Sequence, residues 1–204
     1  MYKYLFKTRL LVKQFYNRND GAHKLDHADQ VYGNMQKLII LDNVEIDPKL
    51  VILSAYFHDI KVYKSRKYHE ILAADFMKKN RYLFDVSDSD FQLVVTSILE
   101  HRSRVENRTS MLSHLLSSGD SLPISNINNI ITRMYNYQKT YMGDNDIDKI
   151  IKNIYRHLMD KFSSNGYKKY DSLMRKYFDH DIHRLQKICD NITDQEIKTI
   201  ILNK

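Results

Sequence analysis

The chain has 204 residues, 32 of them Lys or Arg against 25 Asp or Glu, for a formal net charge of +7. A single cysteine, Cys189, excludes the disulfide-stapled secreted class and suits a reducing, cytoplasmic setting. No run approaches the roughly 18 consecutive apolar residues that a membrane span requires, and no glycine-rich phosphate loop occurs, which excludes P-loop nucleotide binding.

A chain of this length buries roughly two-thirds of its unfolded surface and needs no metal merely to fold. Glycine (5) and proline (2) are scarce, which points to long helices with few tight turns. The positive excess favours an anionic partner. The cations are spread along the chain rather than gathered in one stretch, which argues for a nucleotide or other phosphorylated small molecule over a nucleic acid. Oligomeric state is not readable from these features.

The apolar residues recur at a helical period almost throughout. The first predicted helix covers about residues 2–17, and Lys3, Lys7, Arg9 and Lys13 interrupt it too often for a targeting segment. The stretch NRNDG (17–21) breaks it, and a second helix runs from about 23 to 41. Asp47-Pro48 reads as an N-cap with proline at the first helical position, opening a helix through 60. The basic turn KVYKSRK (61–67) leads into a helix at 68–80. SDSD (87–90) caps a helix through 101, and another approaches Asp120, with Ser121–Pro123 ending it. Helices over 126–141 and 146–162 follow, separated by MGDND (142–146). The last two span about 168–177 and 193–202, with Thr193 and Glu196 spaced as a capping box. The expected organisation is a domain at 1–141 and a C-terminal helical extension at 142–204.

The dipeptide His58-Asp59 means little alone: nine His and twenty Asp in this chain give about one such pair by chance, and a second stands at 180–181. Its setting means more. His58 follows Ala55 by three and Val51 by seven; His27 shares a face with Val31 and Met35. His69 precedes Ala73 by four, His101 follows Ile98 by three, and Asp120 follows Leu116 by four. Neighbours at these spacings share a helix face, so these five polar side chains point inward, and Asp59 adjoins one of them. One inward histidine is ordinarily a hydrogen-bonded core residue. Four, with two carboxylates, call for a common partner, and a metal centre satisfies the set at once. Imidazole with carboxylate suits Fe, Mn, Co, Ni or Zn.

These residues resemble the H…HD…D signature of the HD-domain phosphohydrolase superfamily, an all-helical fold. His27 stands in DHADQV, and LSAYFHDI is similar to the apolar helix that ends in the family's HD pair. His69, in HEILAADF, and His101, in ILEHRS, look like the two extra histidines of its dinuclear branch, which includes diadenosine tetraphosphate hydrolases and HD-GYP cyclic-dinucleotide phosphodiesterases. The resemblance spans about 20–140, with 31, 10, 32 and 19 residues between successive ligands. It departs from the common HDIGK form, since this chain reads HDIKVY, and no GYP element follows His101.

The resemblance implies an HD-like helical bundle with additional C-terminal helices, and two ions bridged by Asp59. His27, His58 and Asp120 hold one ion; His69 and His101 hold the other. It implies hydrolysis of a phosphate ester or anhydride of a nucleotide-type substrate, with a hydroxide generated at the ions attacking phosphorus. His58 and Asp59 are thus the catalytic pair. Lys61, Arg66 and Arg102, beside the motif in sequence, are expected to bind the substrate's phosphates. The alternative is a nucleotide-binding or sensing scaffold of the same fold without turnover. His23 reads as the border of its helix, His114 as structural, and DHDIH (179–183) as a solvated face.

Overall fold

The computed structural model describes residues 1–122, 126–166 and 170–203. Within them the regular structure is helical, as expected: ten α-helices and one short 3-10 turn, with no strand. They are α1 (Tyr2–Tyr16), α2 (Leu25–Asp42), α3 (Pro48–Phe57), α4 (His69–Lys79), α5 (Asp88–Glu100), α6 (Met111–Ser121), α7 (Ile127–Tyr141), α8 (Ile147–Phe162), α9 (Ser172–Asn191) and α10 (Asp194–Leu202). The 3-10 turn is Arg81–Leu83.

Local chemistry sets the helix starts. The orphan backbone N–H groups of a first turn need acceptors, and side-chain oxygens supply them. Asp47 accepts from the Lys49 backbone N–H ahead of Pro48, Ser87 from Asp90, Ser110 from Ser113, and Asp146 from Asp148 and Lys149. Thr193 and Glu196 form the reciprocal capping box that their spacing predicts.

Three boundaries differ. Helix α3 ends at Phe57 rather than 60, and turns follow it. Helix α2 begins at Leu25 rather than 23, because Asp20 organises its own turn, accepting from the Ala22 N–H through Oδ1 and from the His23 N–H through its carbonyl. Helix α9 runs to Asn191, where only a helix ending at 177 was expected; Phe178 breaks its regularity (φ −133°, ψ 20°). DHDIH belongs to this helix: His183 pairs with Asp179 on the exposed side while Ile182, Leu185 and Cys189 are buried. The expected start at Lys168, and Pro123 at the expected end of α6, lie outside the described residues.

The chain separates into two compact units. One comprises Met1–Leu122 together with Tyr170–Met174; the other comprises Pro123–Lys169 and Arg175–Lys204. The turn at 142–146 therefore falls inside the second unit, between α7 and α8. In that unit α7, α8 and α10 pack together, burying Ile131, Ile150, Ile154, Leu158, Ile197 and Ile201.

The first unit is built around α3, whose residues from Leu50 to Phe57 are all buried. A helix apolar on every side has no solvent face and belongs in the middle of a bundle. Helices α1, α2, α5 and α6 pack against it. Ser54 and Ser97 share a buried hydrogen bond of 2.9 Å that ties α3 to α5. Helices α2 and α6 approach closely at Gly119, where an added Cβ would lie 2.8 Å from Met35 Cγ and 3.1 Å from the Val31 carbonyl oxygen. Asn34 bridges the same contact by donating to the Gly119 carbonyl. The C-terminus of α3 is where the candidate site sits.

Candidate metal centre

Five helices deliver six side chains to one place. His27 lies in the first turn of α2, His58 caps α3 with Asp59 next to it, and His69 opens α4. His101 caps α5, and Asp120 lies in the last turn of α6. Three of these helices, α3, α5 and α6, present their C-terminal ends, where unpaired carbonyls carry partial negative charge and favour cations.

Asp59 is the hub. Its Oδ2 lies 3.3 Å from His58 Nε2 and 3.6 Å from His27 Nε2, and its Oδ1 lies 3.1 Å from His69 Nε2 and 3.9 Å from His101 Nε2. Asp120 Oδ1 closes the first group at 3.0 Å from His27 Nε2 and 3.9 Å from His58 Nε2. The donor atoms of His27, His58 and Asp59 lie within 4.8 Å of one another, as do those of Asp59, His69 and His101. A cation about 2.1 Å from each donor needs donor separations of roughly 3–4 Å. The two groups could each hold a metal ion.

The tautomers support that use. Nδ1 of His58 donates to the Ala55 carbonyl at 2.8 Å, that of His69 to Arg66 at 2.9 Å, and that of His101 to Ile98 at 2.6 Å. Each bond leaves Nε2 turned toward Asp59, which is how protein hydrogen bonds orient metal-binding imidazoles. His58 Nε2 and both ring nitrogens of His27 are buried without an aligned hydrogen bond. Buried polar atoms left unsatisfied are rare, and imidazole with carboxylate is the donor chemistry of divalent transition metals. The residues fit such an ion.

Protonation responds to the same crowding. Burial pushes the His58 imidazole down, but the Asp59 and Asp120 carboxylates outweigh it and raise it to about 9. His69 is likewise raised against burial by Asp59 and the Arg66 carbonyl. His101 goes the other way, to about 4, through burial and the positive charge of His58 and His69. Burial favours a neutral Asp59, yet His58 and His69 hold it well below the ordinary carboxylate range. The same opposition lowers Asp120, with His27 and His58 prevailing over burial. Protons on some of the imidazoles thus stand in for cations in balancing the two carboxylates.

The expected phosphate-binding cations have different surroundings. Lys61 is only 8% exposed, and its Nζ sits 4.3 Å from the Phe76 ring centroid and 4.5 Å from that of Phe15. Arg102 donates to the Lys67 carbonyl at 2.8 Å and reaches Glu70 Oε2 at 3.3 Å. Both have fixed partners within the protein. Arg66, 45% exposed, lies 3.5 Å from Asp20 Oδ2 at the edge of the cluster.

Sequence reasoning passed over one wall of the site. The stretch 17–21, read only as a helix break, is sewn to the motif: Asn19 donates to the Asp59 carbonyl at 2.8 Å and accepts from the Tyr63 N–H at 2.9 Å. Asp20 holds His23 Nδ1 at 2.7 Å, which leaves His23 Nε2 4.0 Å from Asp59 Oδ2. The i,i+4 spacing of His23 and His27 was the available signal. Glu70 was also missed, because a glutamate beside a histidine on a helix carries no distinguishing pattern.

No protein-family model, curated protein or solved structure matches the chain, so the reading of this cluster rests on its own donors, distances and burial.

Proposed function

We propose that the chain is a metal-dependent phosphohydrolase of the HD-domain type, acting on a phosphate ester or anhydride of a nucleotide-type substrate. The observation that carries this reading is the convergence of His27, His58, Asp59, His69, His101 and Asp120, scattered over 94 positions of the chain, around one shared carboxylate. His27, His58, Asp59 and Asp120 would hold one ion, and Asp59, His69 and His101 a second. Divalent ions so bound supply Lewis acidity, polarising a phosphoryl oxygen and making water far more acidic.

The chain's own residues supply the rest. The carbonyls of Ala55, Arg66 and Ile98 keep the Nδ1 protons of the three histidines in place, which turns Nε2 of each ring toward the centre. Asp20 fixes His23 so that its Nε2, beside Asp59 and with the side chain 22% exposed, can pass a proton to or from an oxygen at the open edge. Arg66 offers a forked guanidinium at the same edge, suited to two phosphate oxygens. The buried helix ends behind the cluster limit water to that side.

A product-resolved screen of nucleotides and dinucleotides with Mn, Fe, Co and Ni tests the reading. Wild-type protein should release phosphate or a nucleotide, and Asp59→Ala should abolish release while the helical fold persists. Protein that takes up no metal and turns over no substrate under all four ions would overturn the proposal.

A further inference from the structure

Glu70 is a buried carboxylate, 2% exposed, with no place in the six-residue centre. A charge that deep persists only when paired. Its Oε1 accepts from Arg104, and its Oε2 lies 3.3 Å from Arg102 Nη1. Arg102 in turn donates to the carbonyls of Lys67, at 2.8 Å, and Arg66, at 3.3 Å. The Arg66 carbonyl is the same oxygen that accepts from His69 Nδ1. From behind, the Arg102 carbonyl accepts from Arg108, whose guanidinium pairs with the buried Asp171. The result is a brace between the turn before α4 and the segment after α5.

The brace matters because of what it stands beside. Glu70 follows His69 and Arg102 follows His101, so the ion pair joins the covalent neighbours of the two histidines. Those histidines meet with Nε2 atoms 3.2 Å apart. Each ring carries its Nδ1 proton on a backbone carbonyl. The Glu70–Arg102–Arg104 clasp is a charged linkage between the two segments, one residue from each ring.

We propose that this clasp is a positioning device for the His69–His101 half of the centre, setting the affinity of that half for its ion while leaving the His27–His58–Asp120 half unaffected. The proposal rests on the metal-centre reading above. It assigns Arg102 a positioning role in place of the phosphate contact expected from its sequence neighbourhood. Partners that orient metal-binding histidines typically change metal affinity by about 10–100-fold when removed.

Calorimetric titration of chelator-treated protein with Mn or Co, without substrate, separates the possibilities. Wild type should take up two ions in distinguishable steps, and His69→Ala should abolish one step and so identify it. Glu70→Gln, which keeps the side-chain shape but removes its charge, should weaken that same step about 10–100-fold and leave the other step within about twofold. Arg102→Met removes the one nitrogen, Nη1, that meets Glu70 and both carbonyls, and it should shift the same step in the same direction. Either variant binding both ions as wild type does would overturn the clasp. Equal weakening of both steps would also overturn it, because that would mark a general loss of structure; circular dichroism and thermal unfolding of the metal-free variants identify that case. Wild-type protein that binds no ion at all refutes the metal-centre reading itself, an outcome visible before any variant is made.

Discussion

Replacing Asp59 with asparagine removes the one group common to both halves of the centre. Each of its oxygens faces two imidazoles, Oδ2 toward His58 and His27 and Oδ1 toward His69 and His101, at 3.1–3.9 Å. Asparagine has one oxygen and no charge, so neither half keeps an anionic bridge. A ligand that binds only the folded state, at 100 times its Kd, stabilises that state by about 2.7 kcal/mol. Two ions would therefore contribute about 5 kcal/mol. For a chain of this size each kcal/mol moves the melting temperature by roughly 2–4 °C, so saturating Mn or Co should raise wild type by roughly 10–20 °C over chelator-treated protein. Asp59→Asn should show almost no such rise, and His69→Ala about half of it. Differential scanning fluorimetry with and without a chelator reads all three. A full metal-induced rise in Asp59→Asn would refute the reasoning, since the ions would then be binding elsewhere.

Further outcomes follow from the packing and the charges. Gly119→Ala places a methyl against Met35 and the Val31 carbonyl; it should cost about 1–3 kcal/mol in urea unfolding and weaken metal uptake, because Asp120 rides on the same turn. Asp171→Ala removes the carboxylate that pairs with the buried Arg108 at 3.2 Å and also accepts from His114 and Ser118. A loss of about 3–5 kcal/mol is expected, and a loss under about 1 kcal/mol would contradict the buried pairing. Burial raises Asp29, but Arg9 and the Tyr56 hydroxyl outweigh it and lower the carboxyl. A depressed folded-state pKa contributes stability above the unfolded value of about 3.9 and loses it as pH falls through the folded value. Asp29→Asn should therefore be less stable than wild type at pH 6, and the gap should close on acidification below about pH 4. Burial lifts the Cys189 thiol to about 12, so native protein should react with a disulfide reagent far more slowly than protein in guanidinium.

Much of the fold was legible because local rules carry it. Apolar spacing at the helical period, Asp47-Pro48, the first serine of SDSD and the Thr193–Glu196 box each act within one turn of chain, and the structure uses all of them. The inward direction of His27, His58, His69, His101 and Asp120 was legible for the same reason, since a helix face is a property of spacing alone. Helix α9 was underestimated because the charged run 179–183 hides the burial of Ile182 and Leu185, which only packing reveals.

Where side chains end up across long separations is a different matter. Lys61 and Arg102 stand next to motif residues, yet consecutive positions on a helix or turn face different ways: one is ringed by Phe15 and Phe76, and the other braces Glu70. Asn19 and Asp20 reach the centre from a stretch that reads only as a breaker, because a loop has no periodicity to declare its inward side. Asp171 joins a unit that otherwise ends at Leu122, through pairing with Arg108 and His114. From the sequence alone came the helices and the inward set of histidines and carboxylates. Tertiary structure decided their distances, the clasp and the wall at 17–23, because contact between residues tens of positions apart depends on how helices pack, which no local pattern encodes.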